Sequence, residues 1–290
     1  MDLNDIRSSP RLVTKLADLR AALAEVRRAG KSIGLVPTMG ALHAGHISLV
    51  ERSRRECDFT VVSIFVNPTQ FGPQEDFARY PRDLDADLRL LQPTGADLVF
   101  APELDEVYGP RHATFVEMHG VAEPLEGRCR PGHFRGVATV VLKLFNMVTP
   151  DRAYFGQKDY QQSLVIRRLV ADLDLPIEIR VCPTVREPDG LALSSRNVYL
   201  TAAERHEALA ISRALRRAGE VVQSGERRAD AVLAAMQAVL AESPGLSLEY
   251  LAIVDAETLE PVAIIDQTAI AAVAAFVGRT RLIDNVLLTP

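Results

Sequence analysis

Apolar and polar positions along this chain follow two periods. Over residues 15–29 leucine, alanine and valine recur at helical spacing and the run stops at Gly30, which predicts an amphipathic helix. Residues 33–38 form a short apolar run ending in Pro37-Thr38, and read as a buried strand. A glycine-containing loop leads into a helix over residues 45–57. A β-branched strand over residues 59–66 follows and ends at Asn67-Pro68. Strand, helix and strand within about 35 residues make a βαβ unit, which requires a parallel sheet. The pattern continues with helices over residues 83–91, 137–148 and 160–173 and strands over residues 96–101, 152–155 and 177–182.

After Pro183 the character changes. Residues 201–218 and 229–241 are alanine-rich helices, and residues 248–254, 269–276 and 281–288 read as short strands. The expected architecture is α/β: a doubly wound, Rossmann-like parallel-sheet domain over residues 1–184 and a smaller α+β domain over residues 185–290.

Composition narrows the partners. The 290 residues are 48% apolar and 24% charged with a net charge of -5, so the chain is globular and lacks the basic excess of a nucleic-acid binder. Its three cysteines, Cys57, Cys129 and Cys182, are widely spaced and form no CxxC pair, which argues against a disulfide framework or a zinc site. Met1 to Asp5 lack the basic and apolar stretches of a signal peptide. The apolar run at residues 269–278 is far short of the roughly 20 residues of a spanning helix. A cytoplasmic protein working on small molecules, away from membranes and nucleic acid, is expected.

Three stretches carry chemistry. The loop Pro37-Thr38-Met39-Gly40-Ala41-Leu42-His43-Ala44-Gly45-His46 lies between the first βαβ strand and its helix. In an open parallel sheet ligands bind at the carboxyl ends of strands, and a helix N-terminus favours phosphate. His43 and His46 are three residues apart and share a face of the first turn, where two imidazoles can donate to phosphate oxygens. A pair of helix-capping histidines has the same spacing. Gly156-Gln157-Lys158-Asp159 again follows a strand, and Gln162 lies one turn beyond Lys158. Lys158 suits phosphate as a point charge, although surface lysines and glutamines would give the same composition. Val185 to Asn197 contains Ser194-Ser195-Arg196, able to grip phosphate oxygens or to serve as a polar linker.

Around these lie weaker signals. Asn67 and Gln70 leave the second strand at the ligand end of the sheet, where Gln70 could donate to a carboxylate and accept from a hydroxyl at once, and an ordinary Asn-Pro turn is the competing reading. Residues 127–136 read as a basic glycine-rich loop in which Arg130 fits either phosphate or solvent and His133 fits structure. Asp83, Asp85 and Asp87 read as a solvated helix face, and no metal ligand is identified.

The His43-Ala44-Gly45-His46 element resembles the ATP-holding element of the HIGH-type nucleotidyltransferases. Together PTMGALHAGH, FVNPTQFGPQEDFARYPRD, GRCRPGHFRGVATVVLKLFN, DRAYFGQKDYQQ and VREPDGLALSSRN resemble the pantothenate synthetase family in order and spacing, from Val36 to Leu200 and more loosely beyond. The resemblance implies an ATP-dependent, AMP-forming ligase that condenses pantoate with β-alanine through a pantoyl adenylate. It implies that His46 is the catalytic proton donor and that His43, Lys158 and Arg196 join it in stabilising charge. Residues 39–46, Gly156 to Asp159, and Leu193 to Arg196 match ATP-binding segments, and Val185 matches a backbone contact to adenine. Gln70 and Gln162 match pantoate contacts, with Asn67 and Arg130 in the same motifs. Mg²⁺ dependence and a homodimer are implied too. Leu193 departs from the family's usual methionine, a volume-conserving change. Two other readings compete: a different adenylyl transferase acting on a phosphorylated acceptor, and an ATP-binding protein without turnover.

Overall fold

The computed structural model describes residues 9–290, so the signal-peptide reading of Met1 to Asp5 lies outside the described residues. Contacts divide the chain into two compact units. One runs through Gly156 and resumes at Gln161–Cys182; the other comprises Gln157–Tyr160 and Pro183–Pro290.

The first unit contains β1 (Arg11–Val13), α1 (Leu16–Arg28), β2 (Ile33–Thr38), α2 (Ala44–Glu56), β3 (Phe59–Ile64), α3 (Leu84–Leu91) and β4 (Leu98–Phe100). It continues with the short α4 (Leu104–Val107) and α5 (Glu126–Cys129), then α6 (His133–Val148), β5 (Arg152–Gly156), α7 (Tyr160–Asp172) and β6 (Glu178–Cys182). The six strands are parallel, in the order β1-β4-β3-β2-β5-β6. β2 and β3 pair from Ile33 opposite Phe59 to Thr38 opposite Ile64. Helices cover such a sheet by burying one stripe. α1 buries Leu19, Ala22, Leu23 and Val26, the i, i+3, i+4, i+7 spacing of an amphipathic helix, and leaves Arg27 and Arg28 at the negative end of its dipole. The core joins Val36, Leu49, Val50, Val62, Val99 and Tyr154.

Two features differ from expectation. β1 is an edge strand of three residues, two of them exposed, and too short to show periodicity. The stretch read as a glycine-rich loop is largely helical: α5 runs into it from Glu126 and α6 begins at His133, where Gly132 takes a left-handed turn at φ 82°.

The second unit holds α8 (Ala202–Gln223), α9 (Ala229–Leu240) and an antiparallel sheet β7-β8-β9 (Leu246–Asp255, Ala269–Val277, Thr280–Leu288). Thr201 and Glu204 close a reciprocal capping box at the start of α8. The apolar run at 269–278 is mostly β8, the central strand; its alanines lie against the α8 and α9 side chains Ile211, Leu215, Val232 and Met236 in one core.

Candidate active site

The strand order creates a switch point. From β2 the chain moves outward through β3 to β4, and β5 then returns on the other flank of β2. The crevice at the carboxyl ends of two such strands is where open α/β sheets bind ligands. The loop leaving β2 begins with Met39 and β5 ends at Gly156, so two of the three chemical stretches start at this edge.

The turn after β2 is built for close approach. Gly40 and Ala41 both adopt the left-handed region, at φ 79° and 49°. A Cβ on Gly40 would also stand 2.9 Å from the Asp87 carboxylate. Asp87 is buried and accepts the Ala41 N–H at 3.1 Å and the Leu42 N–H at 2.7 Å, one on each oxygen. The solvated acidic face expected over residues 83–87 is therefore corrected for Asp87, although Asp83 remains exposed and caps α3 through the Ala86 N–H. Burial pushes the Asp87 carboxyl above its ordinary range, the two N–H bonds oppose that, and Asp83 adds to it.

His43 is the N-cap of α2. Its Nδ1 accepts the Gly45 N–H at 3.2 Å, and the His46 Nδ1 accepts the His43 N–H at 3.4 Å. The ring centroids lie 4.1 Å apart. The capping and the chemical readings are thus compatible. In a neutral imidazole whose Nδ1 accepts, the ring proton belongs to Nε2, the nitrogen that would donate to a phosphate.

The turn after β3 seats Gln70. Asn67 is buried, and its Oδ1 accepts from the Thr69 hydroxyl at 2.9 Å and the Tyr108 hydroxyl at 2.9 Å. Its Nδ2 donates to Gln70 Oε1 at 3.0 Å and to the Gly136 carbonyl at 3.1 Å. Gln70 Nε2 donates to a weak acceptor, Met39 Sδ, at 3.2 Å. Behind it His133 Nδ1 lies 2.9 Å from the Gln70 carbonyl, and Arg130 binds Glu75 through Nε at 2.9 Å and Nη2 at 2.6 Å. Burial, and then the nearby Arg130 charge, lower His133 to about 4, while Arg130 holds Glu75 below the usual carboxylate range against burial. On α7 the two glutamines differ. Gln161 is buried and donates to the Val121 and Pro124 carbonyls at 2.9 and 2.7 Å, while Gln162 is half-buried.

In the second unit the Asn285 amide holds the carbonyls of Gln157 and Lys158 at 3.0 and 2.8 Å, fixing that turn, and Lys158 Nζ lies 3.8 Å from Asp159. Leu193 N–H donates to the Val185 carbonyl at 3.0 Å, and the Ser194 hydroxyl caps the turn holding Ser195 and Arg196. Arg186 pairs both nitrogens with Asp284 at 2.6 and 3.1 Å, so the Val185 to Asn197 stretch is braced rather than slack.

The pantoate–β-alanine ligase family model matches residues 11–287. The chain belongs to that family. It is 55% identical to the pantothenate synthetase of Moorella thermoacetica, over 96% of this chain and 98% of that one. It is 56% identical to pantothenate synthetase 1 of Bradyrhizobium diazoefficiens, over 96% and 98%. The crystal structure of pantothenate synthetase from Thermus thermophilus superposes with a TM-score of 0.93 at 51% identity, covering 97% of this chain and all of that one. The pantoate–β-alanine ligase of Francisella tularensis, complexed with beta-gamma ATP and β-alanine, superposes with a TM-score of 0.79 at 35% identity, over 96% and 97%.

The family makes this protein a ligase and accounts for its parallel-sheet and antiparallel-sheet parts. Sequence reasoning about the ligase missed Asp87, Glu75, Tyr108 and Gly136. Asp87 left one signal: it lies on the α3 face that carries Leu84 and Leu91, where a solvated residue does not belong. No described helix is long and apolar enough to cross a membrane.

Proposed function

We propose that the ligase makes pantothenate from pantoate and β-alanine in two steps at the carboxyl end of its parallel sheet, with ATP as the activating substrate. In the first, a pantoate carboxylate oxygen bonds to the α-phosphorus of ATP, the bond to the β-phosphate breaks, and pyrophosphate leaves. In the second, the β-alanine amine attacks the acyl carbon, the C–O bond to AMP breaks, and the amine gives up a proton. The observation that carries this reading is the α2 start: two Nδ1-anchored imidazoles beside a left-handed glycine turn at a sheet switch point. The complex of the Francisella tularensis relative with beta-gamma ATP and β-alanine supports the choice of substrates.

The roles follow from chemistry. A carboxylate is already nucleophilic, so positioning and charge stabilisation do most of the work. Residues 39–46 would cradle phosphates, with His46 as the proton donor and His43 beside it. Gly156 to Asp159, Val185, and Leu193 to Arg196 would hold the rest of ATP, with Lys158 and Arg196 supplying positive charge. Gln70 and Gln162 would bind pantoate. Asn67 and Arg130 serve that site indirectly, Asn67 by holding the Gln70 side chain and Arg130 by bracing the turn. Mg²⁺ would add Lewis-acid charge neutralisation. Among the described residues no group of three His, Cys, Asp or Glu is placed to hold a metal ion, so its ligands would come mainly from ATP and water. A cytoplasmic homodimer completes the proposal.

The test is AMP release with each substrate omitted in turn. AMP that requires both pantoate and β-alanine supports the ligase. AMP transfer to a phosphorylated acceptor alone, or ATP binding without AMP, would replace it with one of the two competing readings.

A further inference from the structure

Asp87 lies outside every motif used so far, yet it touches the turn to which ATP binding is assigned. The turn has an energetic problem. Ala41 sits at φ 49°, in the left-handed region that L-residues rarely adopt. Its N–H and that of Leu42 point away from the α2 ladder and need acceptors. Asp87 meets both needs with a buried carboxylate whose two oxygens take one N–H each, at 3.1 and 2.7 Å. Gly40 fits between this carboxylate and Ile64, where any Cβ would come within 3.1 Å of both.

We infer that Asp87 is a positioning residue for the nucleotide: it holds the Gly40–Leu42 turn in its left-handed form, so that Met39, Gly40 and the His43–His46 pair present a ready-made phosphate cradle. The inference rests on the assignment of residues 39–46 to ATP. Asp87 acts through backbone, two residues ahead of His43, and touches no reacting atom. An amide in its place accepts one N–H and faces the other with its own NH₂, which loosens the turn without changing side-chain volume.

The decisive experiment is steady-state kinetics of Asp87→Asn with each substrate varied. The expected result is a KM for ATP raised about tenfold, as for one charge-assisted bond lost. The KM values for pantoate and β-alanine should stay within about twofold. Adding Ala41→Gly, which removes the left-handed penalty, should recover much of the ATP effect. A merely structural carboxylate would lower Tm and active fraction without selecting one substrate. No change in any KM in a folded variant overturns the positioning role while leaving the ATP assignment intact. A shift confined to pantoate or β-alanine overturns the ATP assignment and the inference with it. Amide hydrogen exchange of the unaltered ligase without nucleotide gives a check independent of folding. Ala41 and Leu42 should be strongly protected, and exchange at unprotected rates would overturn the clamp.

Discussion

The Asn67 side-chain amide donates to the Gln70 side-chain oxygen at 3.0 Å, and this one bond decides which end of Gln70 would face pantoate at the proposed site. Asn67 cannot turn over, because its own oxygen is held by the Thr69 and Tyr108 hydroxyls. Gln70 Oε1 is therefore held by Asn67, and its NH₂, whose partner is the weak acceptor Met39 Sδ, is the end that would meet a carboxylate or hydroxyl oxygen of pantoate in the proposed function. Asn67→Asp replaces the donor with an acceptor and should turn the Gln70 amide around. The KM for pantoate is expected to rise about 10- to 100-fold, the scale of one to two buried hydrogen bonds, with the ATP KM little changed. Tyr108→Phe leaves the Thr69 hydroxyl in place and should cost only a few-fold. Equal effects on all substrates would remove the argument.

His46→Ala should slow adenylation by about 10² to 10³, the usual loss for one charge-stabilising donor. Pantoate-dependent exchange of pyrophosphate into ATP measures that step alone. The bond that the His46 ring accepts from the His43 N–H is long, at 3.4 Å, so thermal stability should fall little. Near-normal exchange would exclude His46 from the first step.

Gly136→Ala tests the packing that seats Gln70. A Cβ there would fall 2.3 Å from the Thr69 carbonyl oxygen and 2.6 Å from the Gln70 nitrogen. Backbone must move, and such overpacking typically costs about 1–3 kcal/mol. A lowered Tm together with weakened pantoate binding is expected from calorimetry and kinetics; a variant that behaves like the parent would mean that α6 moves aside freely.

His133 gives the pH prediction. Its folded value of about 4 lies below the ordinary 6.5, so between these values the unfolded chain binds a proton that the folded chain refuses. Stability from this group is therefore complete above about pH 6.5 and is lost as pH falls toward 4, by at most roughly 3 kcal/mol. Glu75, held low by Arg130, loses stability in the same direction as acid protonates it. Urea midpoints from pH 7 to 4 should fall less steeply for His133→Gln than for the parent; parallel curves would show that His133 is not buried neutral.

Much of this was legible in sequence because burial writes period into the chain. β2 is read at residues 33–38 from an apolar run ending in Pro37-Thr38, and α1 from leucine, alanine and valine at the helical spacing of its buried stripe. The βαβ order then fixes a parallel sheet and its ligand end. Hydropathy does not report polar groups that are buried because they are paired. Asp87 reads as solvated face, and turn or surface stays open for Asn67 and the glutamines after Tyr160, yet Asn67, Asp87 and Gln161 are each nearly enclosed and hydrogen-bonded to backbone or side chains distant in sequence. Arg130 left phosphate and solvent equally open; its fork is held instead by Glu75, 55 residues earlier. Such partners belong to tertiary structure, and no local pattern announces them.

The central claim is that the pantoate carboxylate attacks the α-phosphorus. Pantoate labelled with ¹⁸O in its carboxylate, turned over with ATP, Mg²⁺ and β-alanine, tests it most directly. The account predicts that one labelled oxygen appears in the phosphate of AMP and the other stays in the amide carbonyl of pantothenate. AMP without label, with the product formed all the same, would contradict adenylation of pantoate and the site built around it.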